Sequence, residues 1–128
     1  MNGSVGLNRM SCIQGLLGSL SHEIESQLKP NLRGIRGMVV QAYLPQTWVF
    51  ETETETATFV VDAHGNAHAE AGAKLGRDVT IRWKHDFLAA VLRTRSRASV
   101  PGGIHPVVMF HTPKGRRAFD FLRGRLGL

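Results

Sequence analysis

Cysteine is almost missing from this 128-residue chain: Cys12 stands alone. No internal disulfide can form, so a reducing cytoplasm is the expected compartment. No apolar run approaches the ~20 residues that span a bilayer. The opening MNGSVGLNRM has no apolar core of a secretory signal. Catalytic signatures are absent as well: the chain has no GxSxG, Walker-type loop, GxGxxG or CxxC pair. His85, His105 and His111 form no recognisable triad with Ser or Cys. His64 and His68 are four apart but straddle a predicted turn, with no third metal ligand indicated. No catalytic residue, metal or cofactor is therefore expected, and the chain does not read as an enzyme.

Positive charge is present, and it is unevenly placed. Up to Gly76 there are five Lys/Arg against seven acids; from Arg77 onward there are eleven against three. The basic half should attract anions, whether phosphate, carboxylate, an acidic membrane surface or nucleic acid. Arginine outnumbers lysine twelve to four, and its planar fork suits carboxylate and phosphate.

Residues 1–9 are polar and aperiodic and read as a disordered extension, with Met10 an alternative start, leaving 10–128 as one domain. Ile13, Leu16, Leu17, Leu20, Ile24 and Leu28 form one apolar stripe of a helix that Pro30 and Asn31 end. Alternation predicts strands over 38–44, 46–56, 57–62, 67–71, 78–84 and 106–112. Within 46–56, Glu51, Glu53 and Glu55 share one face, and strict alternation explains ETETET as a strand with a solvated side. His64-Gly65-Asn66 supplies a hairpin turn. Ala67, Ala69 and Ala71 fall on one face of the next strand; either a helix packs tightly there or small residues line a cavity.

Between Asp78 and Leu92 the period changes from two to 3.6. Val79, Ile81 and Trp83 alternate with Thr80 and Arg82; then Phe87, Leu88, Val91 and Leu92 share a helix face, with His85 or Asp86 at the cap position. A basic loop follows, with Arg93, Arg95 and Arg97 before Pro101-Gly102-Gly103. Pro113 fits the first turn of a closing helix.

DVTIRWKHDFLAAVL (78–92) resembles a pattern of the sterol carrier protein 2 (SCP2) family, in which a DVTI-type strand leads to an acidic residue, Phe and an aliphatic helix. HPVVMFHTPKGRRAFDFL (105–122) is similar to the family's last strand and helix, including Gly115. The linker departs from the family: it is basic, contains Pro-Gly-Gly, and leads to no lysine-rich strand. The resemblance implies an α+β domain, with a mainly antiparallel five- to six-stranded sheet packed on helices and enclosing an apolar tunnel. It also implies non-enzymatic binding or transfer of a lipid, fatty acid or acyl-coenzyme A. On that topology Phe87, Leu88, Val91, Leu92, Val107, Met109, Phe119 and Leu122 would line the tunnel. Arg93, Arg95, Arg97, Arg116 and Arg117 would form a cationic mouth for an acidic head group or an anionic membrane. The alternatives are a ligand-free protein-interaction subdomain and a basic nucleic-acid binder, the latter without a reading helix or stacking platform.

Overall fold

The structure is a computed structural model that describes residues 12–32 and 42–128. Helix α1 spans Ile13–Leu28, followed by a 3-10 turn at Lys29–Leu32. Strands β1 (Gln46–Glu51), β2 (Thr56–Val61), β3 (Ala67–Ala71) and β4 (Val79–Arg82) come next, then helix α2 (His85–Thr94) and a 3-10 turn at Arg97–Ser99. Strand β5 (Val107–Phe110) and helix α3 (Pro113–Leu126) complete the chain. The expected extension at 1–9 and the Met10 start lie outside the described residues.

Among the described residues the five strands are ordered β3-β2-β1-β4-β5. Three of the four pairings are antiparallel, and β1 runs parallel to β4. The register aligns Trp48 with Phe59 and Val79, and Phe50 with Ala57 and Ile81. These side chains form one apolar face, which joins Ile13, Leu17, Leu20, Ile24 and Leu28 of α1 and Leu88, Val91 and Leu92 of α2 in a single core. The stripe read in α1 is therefore a core-covering face, as its spacing requires. The same register puts Thr47, Val49, Thr58, Thr80, Val107 and Met109 on the opposite face.

The long strand over 46–56 is broken in two. Strand β1 stops at Glu51, and residues 52–55 turn the chain into β2. The Thr52 amide donates to the Glu55 carbonyl at 2.8 Å, and the Thr52 hydroxyl accepts from the Glu55 amide at 2.9 Å. Threonine's short side-chain oxygen substitutes for ladder partners here, as it does in many turns. The three glutamates consequently do not share one solvated face. Glu51 meets Arg82 at 2.9 Å and Arg77 at 3.5 Å. Glu53 accepts from the His85 amide at the start of α2, at 2.7 Å. Glu55 accepts from the Ile13 and Gln14 amides at the start of α1, at 2.8 and 2.9 Å. The residue before α2, Lys84, makes no side-chain cap bond, so α2 is capped by a carboxylate from the β1–β2 turn and not by its own sequence.

The strand expected over 38–44 lies at 38–41 outside the described residues, and 42–44 are not strand. The hairpin at 64–66 is present: Gly65 takes φ 83°, and the Asp62 carboxylate accepts from the His64 and Asn66 amides. Helix α1 packs on β3, where Glu25 accepts from the Ala67 amide at 2.8 Å. The alanine strand thus meets a close helix, the tight-packing alternative of the two.

Asp78 joins three elements. It is 3% exposed. Its carboxylate accepts from the Thr47 amide on β1 at 2.8 Å and from the Thr112 hydroxyl at 2.6 Å. Thr112 in turn caps α3 by accepting from the Gly115 amide. A Cβ on Gly115 would stand 2.6 Å from the Asp78 carbonyl oxygen. Gly115 is therefore required for α3 to approach β4 this closely.

Candidate functional site

Two cavities flank α3. The first, about 160 Å³, lies between the last turn of α1 (Leu28), the segment Tyr43, Leu44 and Gln46, and the α3 residues Arg117, Ala118, Phe121 and Leu122. Its one buried polar wall residue is Gln46, and the polar atoms of that side chain are engaged. The side-chain amide donates to the Tyr43 carbonyl at 2.5 Å and to the Lys114 carbonyl at 3.1 Å, and its oxygen accepts from the Trp48 indole at 2.9 Å. The space is open at one side, where Arg117 stands, and the rest of its wall is mostly hydrocarbon, a surface suited to apolar groups.

The second cavity, about 190 Å³, lies on the other side of α3. Ile81, Pro106, Val108, Phe119 and Leu128 supply its apolar wall, and Arg97, His105 and Arg123 its polar one, with the two arginines carrying the positive charge. Phe119 stacks on Trp48 with centroids 5.7 Å apart and meets Phe110 edge-on at 5.2 Å, so its ring partitions the interior beneath the helix.

The predicted lining residues divide among three places. Leu88, Val91 and Leu92 are fully packed core residues of α2. Phe87 is half-buried and lies 5.9 Å from the Trp83 ring. Leu122 lines the first cavity and Phe119 the second. Val107 and Met109 are on the far face of the sheet, and Val107 is 55% exposed; their neighbours Val108 and Phe110 are the β5 residues that face α3.

The predicted mouth divides in the same way. Gly115, one residue before Arg116, abuts Asp78, whereas a Cβ on Gly127 would lie 2.4 Å from the backbone of Arg95. Helix α3 therefore places Arg116 and Arg117 at one end and the Arg93–Arg97 segment at the other, separated by about three turns. Arg95 pairs with Glu23. Arg116 lies over the Phe110 ring at 5.3 Å, Arg117 lines the first cavity, and Arg93 is exposed. The arginine that does share a cavity with Arg97 is Arg123, from the far end of α3. No local sequence signal marks it, because the direction of α3 is fixed by packing at its two ends, Gly115 against Asp78 and Gly127 against Arg95.

Four described carboxylates, Glu53, Glu55, Asp62 and Glu70, titrate below their ordinary values, and the first two bear on the helix starts. Burial opposes charge on Glu55, but the Gln14 and Ile13 amides and the Cys12 thiol outweigh it and hold the carboxyl below its ordinary value. Glu53 is also held low, chiefly by the His85 amide. Both are helix-capping groups. Among the described residues no His, Cys, Asp and Glu cluster could hold a metal ion, and no helix is long and apolar enough to cross a membrane.

No protein-family model matches the chain, and no curated protein does. Among solved structures it is similar to the UbiJ-SCP2 ubiquinone synthesis protein, at 18% identity over 83% of this chain and 89% of that one, with a TM-score of 0.45.

Proposed function

We propose that this protein is a non-enzymatic carrier that holds an apolar chain, such as that of a lipid or fatty acid, between α1, α3 and the sheet. The observation that carries the reading is the first cavity, a hydrocarbon-walled space in which Gln46 has both ends of its amide engaged by protein groups. Arg117 at its rim suits an acidic head group or an anionic membrane surface. The SCP2 resemblance of 78–92 and 105–122 points the same way.

The volume limits the reading. A dry cavity of about 150 Å³ holds a benzene-sized group, so this one accepts the end of a chain and not all of it. Six buried carbons at ~0.8 kcal/mol each give about 5 kcal/mol gross, against association costs of about 4–15 kcal/mol. Useful affinity therefore needs more of the chain to be covered, by outward movement of Phe121, which is already 41% exposed. Affinity should accordingly rise with chain length from about six carbons onward. The same small volume favours the second reading, a filled interaction domain with no ligand. A native mass spectrum of the purified protein separates the two. Extra mass matching a lipid or fatty acid supports the carrier; a bare polypeptide together with no fatty-acid uptake supports the interaction domain.

A further inference from the structure

The second cavity has features that the first lacks. Arg97 sits over the Trp83 ring at 5.2 Å. Its Nη2 donates to the Ile104 carbonyl at 2.7 Å and to His105 at 2.8 Å, while its Nε is buried without a partner. Arginine cannot accept, so His105 receives that bond at Nδ1 and carries its own proton on Nε2. Arg123, across the cavity, lies over the Phe119 ring at 5.6 Å and touches only the exposed Asp120 at 3.5 Å. No carboxylate pairs with Arg97 among the described residues. Two guanidinium groups thus border one small open space, and among the described residues no acidic side chain lines it. An anion placed there would be attracted by both.

We propose that this cavity is a binding site for a phosphate group carried on a small apolar substituent. A phosphate dianion matches the two guanidinium charges. Its three outer oxygens suit two forked donors and the His105 Nε2–H. Ile81, Val108 and Phe119 give the substituent an apolar wall, and about 190 Å³ is space for a single-ring group of this kind. The phosphate can belong to a free phosphorylated metabolite or to a lipid head group. The site is distinct from the chain cavity, since α3 and the Phe119 ring stand between them.

The test uses the full chain labelled for NMR, with phenyl phosphate as the soluble probe. Vesicles of phosphatidylcholine containing phosphatidic acid serve as the lipid probe. The His105 ring and the Trp83 indole N–H should shift saturably with phenyl phosphate if the source is soluble, or with phosphatidic acid vesicles alone if it is a head group. In either case Arg123→Ala should weaken binding about tenfold or more, and His105→Ala by a smaller factor. Arg93→Ala and the chain-cavity variant Ala118→Leu should leave it unchanged. Variants that keep the wild-type amide spectrum are folded and interpretable; Arg123 and His105 are both exposed enough for this. Absence of any saturable shift with both probes overturns the proposal. So does an Arg93→Ala loss equal to that of Arg123→Ala, which would mean general basic attraction. Lipid uptake is read separately, so failure of the chain carrier and failure of this site give different results.

Discussion

The acids of the β1–β2 turn and the arginines of the C-terminal half differ in where their charge goes. The turn reads as a monotonous ETETET, yet each glutamate holds a different partner: Arg82, the start of α2 and the start of α1. The arginines read as a ligand-seeking cluster, yet several rest on aromatic faces, Arg116 on Phe110, Arg123 on Phe119 and Arg125 on Phe121. Carboxylates reach buried and half-buried amides because the helix starts present unpaired N–H groups. Arginines have long apolar stems and few acids to meet in this half, so they spread over rings instead. The acids of the turn act as structural staples, whereas Arg97 and Arg123 border the second cavity and Arg117 the first.

This contrast ranks the effects of substitution. Asp78→Ala should be the most damaging, at about 3 kcal/mol, since it removes the buried carboxylate that holds the half-buried Thr47 amide and unties the Thr112 cap of α3 at once. Urea unfolding measures it, and a loss below about 1 kcal/mol would remove Asp78 from the list of staples. Glu55→Ala should cost about 1–2 kcal/mol through the two amides of α1. The Glu55 contribution also has a pH signature. Its folded carboxyl titrates below the ordinary 4.5, so the stabilisation is complete above that value and is lost as pH falls through the lower folded one. Wild type and Glu55→Ala should therefore converge in stability at acid pH. A constant difference down to complete protonation would assign the effect to packing instead. Arg116→Ala should be the mildest, about 0.5–1 kcal/mol for an exposed cation over a ring. A loss as large as that of Glu55→Ala would erase the contrast between the two regions.

Much of the architecture was legible in the sequence because periodicity follows burial. The α1 stripe, the hairpin at Gly65, the change of period after Trp83 and the start of α3 at Pro113 all fall where spacing puts them. The break at 52–55 was not legible, since alternation continues straight through it; the Thr52–Glu55 bonds that bend the chain are local, but Glu53 and Glu55 also reach the starts of α2 and α1, tens of positions away. The site was less legible than the fold. Val107 was placed inside although strand β5 has an exposed far face, and Arg116 was placed with Arg97 because nothing local specifies the direction in which α3 runs. Cavity volume depends on how side chains from distant segments meet, and one sequence carries no direct record of that.

A carrier role requires the first cavity to accept an apolar chain. Titration of a fluorescent fatty acid into wild type and Ala118→Leu tests this directly, because leucine at 118 puts three more carbons into a space of about 160 Å³. The account predicts saturable binding that strengthens with chain length in the wild type and is lost in Ala118→Leu, while the variant unfolds at the same or higher urea concentration. No binding by the wild type, or equal binding by a stable Ala118→Leu, would contradict it.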